Sequence, residues 1–121
     1  MNKVLNSPSR LLRVEGVIVF IIALVLYSRL ESSWLLFVLL FFAPDVSMAG
    51  YAINTKAGAT IYNLVHAYAL PAVLGLMGLF TANGLLASLS LIWFAHIGLD
   101  RLLGFGLKYP TEFKDTHLQR V

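Results

Sequence analysis

The chain has 121 residues, 59% hydrophobic and 12% charged, with a formal net charge of +3 and a mean hydropathy of +0.80. An ordinary soluble domain carries about 25% charged residues and, at this size, is mostly surface, so a soluble globular enzyme is excluded, as is a disordered chain. The chain has no cysteine, which removes disulfides and thiolate metal sites.

Charge is sparse where apolar residues are dense. Between Gly16 and Leu99 the formal charges are Arg29, Glu31, Asp45 and Lys56, and there is none from Ala57 to Leu99. A helix needs about 20 apolar residues to cross a bilayer, with about 17 as a lower limit. Ser7-Pro8 opens the first helix, with proline at the first helical position. The apolar stretch that follows, about 14–30, has a basic start like a signal peptide but no small-residue cleavage site after it, so a retained span is expected. Further spans are expected over about 34–53, 57–80 and 83–100, and an amphipathic interfacial tail over 101–121, where Phe105, Tyr109 and Phe113 interleave with Lys108 and Lys114. The intervening loops are short enough to force neighbours antiparallel. The fold class expected is therefore all-α: an integral membrane four-helix up-down bundle in a single domain. Eight of the nine Lys and Arg residues fall on the side of the termini and Arg29 alone on the other. That puts both termini in the cytoplasm, on a bacterial inner membrane. The expected partners are membrane lipids rather than nucleic acid. Gly75 and Gly78, with Ala72, form a small-residue strip for close helix contact within the chain or in a homo-oligomer.

Five ionisable residues sit in the spans although each costs at least about 2.5–3.5 kcal/mol at mid-span. They are Glu15, Asp45, His66, His96 and Asp100, all toward the cytoplasmic side. His96 and Asp100 are four apart and share a helix face, as do Tyr62 and His66. Pro44 deprives the Leu40 carbonyl of its helical partner, and Pro71 does the same to Ala67. Taken singly, each ionisable residue reads more readily as interhelical glue, with Asp45 paired to Lys56 or Arg101. Taken together, Asp45, His66, His96 and Asp100 are candidate ligands for a divalent metal, zinc or ferrous iron. Glu15 and His117 are then candidate proton shuttles, His117 by folding the tail back over the site.

Several ordered motifs complete the reading. Pro44-Asp45-Val46-Ser47-Met48-Ala49-Gly50-Tyr51, Tyr62-Asn63-Leu64-Val65-His66-Ala67-Tyr68 and His96-Ile97-Gly98-Leu99-Asp100-Arg101 occur in order, followed by Gly104-Phe105-Gly106-Leu107-Lys108-Tyr109-Pro110 and Phe113-Lys114-Asp115-Thr116-His117. With Leu12-Arg13-Val14-Glu15-Gly16 ahead of them, these motifs resemble the small bacterial membrane family catalogued as domain of unknown function 4260. The resemblance implies a membrane location and carries no activity with it. A looser likeness, in placing several His and Asp on a few spans, is to bacterial membrane-bound metal-dependent hydrolases, whose motif order differs. Two functions follow as expectations: a metal-dependent membrane enzyme, hydrolase-like and acting on a lipid or amphiphile from the cytoplasmic side, or a non-enzymatic bundle serving as a small transporter subunit or partner of a larger membrane complex.

Overall fold

The computed structural model describes residues 7–107. Among them the regular structure is all helical: α1 (Pro8–Arg29), α2 (Trp34–Leu40), a 3₁₀ segment η1 (Ala43–Ala52), α3 (Thr55–His66), α4 (Ala69–Phe80) and α5 (Gly84–Leu103). Four of the resulting segments are long and apolar enough to cross a membrane: Pro8–Arg29, Trp34–Ala52, Thr55–Phe80 and Gly84–Leu103. The tail from residue 108 onward, including His117, lies outside the described residues.

Four of the five α-helices start where the sequence supplies a side-chain acceptor for the orphan N–H groups of a first turn. Ser7 caps α1 ahead of Pro8, Ser33 accepts from the Leu36 N–H, Asn54 from Ala57, and Asn83 from both Leu85 and Leu86. At its far end α5 stops at Gly104, whose φ of 95° lets the Phe105 N–H return to the Asp100 carbonyl at 2.7 Å.

The middle two spans are not continuous α-helices. The second leaves α geometry after Leu40 and continues as ten residues of 3₁₀ helix, far beyond the three or four residues usual for that form. The third is interrupted at Ala67, which is extended (φ −91°, ψ 150°). Both breaks fall four residues before a proline, at the carbonyls that Pro44 and Pro71 leave without a donor.

Packing follows three interfaces, α1 on α5, α4 on α5, and α3 on η1. Glycine permits the closest of them: a Cβ at Gly98 would stand 2.7 Å from the Gly16 carbonyl oxygen and 2.8 Å from the Phe20 nitrogen. The small-residue strip of the third span is occupied within the chain, since a Cβ at Gly75 would meet Ser90 Oγ and one at Gly78 the Ala87 nitrogen, each at 2.8 Å. The core runs as an aromatic ladder, with Tyr27 to Phe37 at 5.1 Å, Phe37 to Phe41 at 5.5 Å, and Phe41 to His96 at 5.4 Å between centroids. Tyr27 also donates its hydroxyl proton to the Ser33 carbonyl, which ties the first hairpin. Outside, large apolar side chains such as Val46, Leu79 and Phe80 are mostly exposed, the surface a bilayer would cover.

Candidate metal centre

The two broken segments and α5 bring four ionisable side chains to one point. Asp45 comes from the first turn of η1, His66 from the last residue of α3, and His96 and Asp100 from successive turns of α5. His96 Nε2 lies 3.1 Å from Asp45 Oδ1 and 3.1 Å from Asp100 Oδ2. His66 Nε2 lies 3.5 Å from each of the same two oxygens. The two Nε2 atoms are 3.3 Å apart, and all four ligand atoms fall within 4.8 Å of one another. Four ligands at bond lengths of about 2.0–2.2 Å around a tetrahedral ion would be about 3.3–3.6 Å apart. The spacing of the side chains therefore suits a single small cation.

Backbone breakage sets this geometry. Pro44 has no N–H to give, and the Asp45 N–H bonds the Phe42 carbonyl at 3.0 Å. This tightening leaves the Phe41 carbonyl outside the helical ladder, where it approaches the His96 ring. Ser47 closes the same turn by donating to the Pro44 carbonyl at 2.7 Å. At the second break, the Val65 and His66 carbonyls that a continuous helix would use internally accept from side chains of α5, and so does the Pro71 carbonyl in the first turn of α4. Trp93 Nε1 donates to Val65 at 2.7 Å, Arg101 Nη2 to His66 at 3.2 Å, and Ser90 Oγ to Pro71 at 2.7 Å. Irregular backbone at membrane depth is tolerated where it is buried in protein and so satisfied.

The imidazoles are held as metal-ligating histidines usually are. His66 Nδ1 lies 3.0 Å from the Tyr62 carbonyl; donation there puts the proton on Nδ1 and turns the Nε2 lone pair to the centre. The Tyr62 ring stacks on His66 at 3.7 Å and 6°, so the imidazole cannot rotate away. His96 is 1% exposed, and its Nδ1 is buried without a hydrogen bond of normal geometry. The two histidine side chains are sealed, whereas Asp100 is 18% and Asp45 35% exposed. Access to the centre is therefore from the Asp45 side.

The remaining sequence expectations separate cleanly. Glu15 is exposed on α1 and is not part of the cluster. Asp45 contacts the two imidazoles, where the sequence alone left pairing with Lys56 or Arg101 open. Arg101 is 7% exposed, bound to the His66 carbonyl and 5.5 Å over the Tyr68 ring. Its role and those of Trp93 and Ser90 carried no signal beyond an unusual count of polar residues on one apolar helix.

Residues 9–121 match the family model described as domain of unknown function DUF4260, and the chain belongs to that family. No curated protein and no solved structure matches it significantly.

Proposed function

We propose that this DUF4260 member is a divalent-metal-dependent hydrolase acting on an amphiphile at the membrane, with Asp45, His66, His96 and Asp100 as the ligands. The observation that carries the reading is the convergence of four electron-rich atoms at 3.1–3.5 Å. With the His66 proton on Nδ1, its Nε2 lone pair faces two carboxylate oxygens and needs positive charge between them, a role that a bound cation fills for all four side chains at once. Two imidazoles with carboxylates are a donor set for zinc or ferrous iron.

A bound cation would lower the pKa of a coordinated water toward neutrality and polarise the bond under attack. Hydrolysis then adds the water oxygen to a carbonyl or phosphoryl centre and breaks the bond to the leaving oxygen. One water proton would pass to the second carboxylate oxygen of Asp45, the one not facing the imidazoles, and on to the leaving oxygen, with no oxidant or reductant needed. We further propose a cytoplasmic-membrane location with both termini on the cytoplasmic side, supported by the eight-to-one distribution of Lys and Arg.

Elemental analysis of detergent-purified protein tests the metal. About one zinc or iron per chain is expected, falling at least about tenfold in His66→Ala or His96→Ala. Occupancy should also fall as pH drops through the ordinary imidazole range of about 6–7, because protons compete for the ligand nitrogens. A metal-free protein whose histidine variants fold unchanged would leave the non-enzymatic bundle as the better reading.

A further inference from the structure

Beside the cluster lies an apolar groove of about 360 Å³, at the low end of the roughly 300–1,000 Å³ found for small-ligand sites. Its walls are Leu40 of α2 with Pro44 of η1 on one side, and Val65 of α3 with Leu74 of α4 on the other. Its floor is α5, through Leu89 and Trp93. Around the groove, α4 packs on α5, and η1 and α3 close against each other next to the ligands.

Three of its lining residues are next to ligands in sequence or on the helix face. Pro44 precedes Asp45 and Val65 precedes His66. On α5, Leu89, Trp93, His96 and Asp100 step along one face at i, i+4, i+7 and i+11. The apolar slot thus adjoins the candidate centre through Pro44, Val65 and Trp93, while the four ligands themselves lie just beyond its lining. From Leu89 to His96 is about 10 Å along the helix. The polar end points toward the side of the bundle where α1 begins and α5 ends. A lipid of the leaflet on that side has the same polarity, head toward the termini and chain toward the midplane.

We propose that this groove takes the single alkyl or acyl chain of the substrate, drawn from the leaflet on the side of the termini, and sets the bond to be cleaved against Asp45 and His96. The proposal rests on the hydrolase reading and specifies its substrate class: single-chain amphiphiles with a hydrolysable bond close to the head. Lipid tails are as apolar as the groove, so selection comes from shape and packing rather than from transfer out of water.

The test uses the zinc-loaded protein in phospholipid nanodiscs and two chelating probes, acetohydroxamate and lauroyl hydroxamate, with zinc content measured in every sample. Comparing variants with the same probe cancels its partition into the lipid. Leu89→Trp and Ala43→Phe, each filling the groove, should weaken lauroyl hydroxamate at least about tenfold, or 1.4 kcal/mol, and leave acetohydroxamate within about threefold. Val38→Trp, on the exposed face of α2, should change neither. A second measurement does not depend on the folding of groove variants. In a Trp34→Phe protein, lauroyl hydroxamate brominated at mid-chain should quench Trp93 fluorescence, and excess acetohydroxamate should release the quenching. Unchanged lauroyl hydroxamate affinity in zinc-loaded groove variants, or quenching that acetohydroxamate leaves intact, overturns the groove assignment while the metal centre stands. Absence of zinc and of acetohydroxamate binding in the unmodified protein overturns both.

Discussion

His66 shows how much one residue can carry in this chain. It closes α3, stacks on Tyr62, uses Nδ1 on the Tyr62 carbonyl, gives its own carbonyl to Arg101, and turns Nε2 to the other three ligands. Asp45 is the counterweight, reached from the most open side of the site. Asp45→Asn keeps its shape and removes its charge, so metal occupancy should fall by about tenfold to a hundredfold. Bound metal stabilises the folded state by mass action. Thermal melts of the unmodified protein should therefore drop on chelation, and those of Asp45→Asn should respond little. If Asp45 were a structural intramembrane carboxylate, the unmodified and Asn proteins would melt alike with and without chelator.

Among the elements, α5 organises the molecule: it contacts both α1 and α4, lays two ligands on one face, and supplies the donors, Trp93 and Arg101, that satisfy the broken end of α3. Its approach to α1 depends on Gly98 and Gly16 facing each other without side chains. A methyl at Gly98 would meet backbone atoms at 2.7 and 2.8 Å, which cannot yield as a flexible side chain does. Gly98→Ala should destabilise the bundle by about 1–3 kcal/mol, the usual cost of overpacking, and lower its melting temperature. Gly84→Ala is the matched control at the start of the same helix: nothing lies within 4 Å of its Cβ position. There the substitution should be neutral or slightly stabilising, through helix propensity and the lost freedom of the unfolded chain. Equal melts for both variants would mean that α1 and α5 are not in close contact.

For the whole molecule, the four apolar segments alternate in direction, so the start of α1, the end of α5 and the 53–54 connection share one side, and the hairpins around Glu31 and Ala82 share the other. The natural absence of cysteine makes this directly measurable. Glu31→Cys should react with an impermeant maleimide added outside intact cells, and Lys56→Cys only after permeabilisation. The opposite pattern would invert the bundle and move the candidate centre to the outer half.

Composition and the spacing of apolar segments were enough to determine the number of spans, their antiparallel order and the helix start at Ser7-Pro8. These depend on local chemistry: length against bilayer thickness, and acceptors next to orphan N–H groups. The prolines also marked where the second and third spans would break, because a missing N–H is a property of one residue. That Asp45, His66, His96 and Asp100 stand out as costly was equally legible. Their meeting within 4.8 Å was not, because it depends on the rotation of η1, α3 and α5 about their axes. Several contacts set those rotations: Gly16 against Gly98, Trp93 on the Val65 carbonyl, and Arg101 on the His66 carbonyl. Each joins residues 28 or more positions apart in sequence, and no local pattern of polarity encodes which distant carbonyl a tryptophan or arginine will reach. The placement of Glu15 has the same origin: its depth was readable from the chain, but the face of α1 it occupies was fixed only by packing against α5.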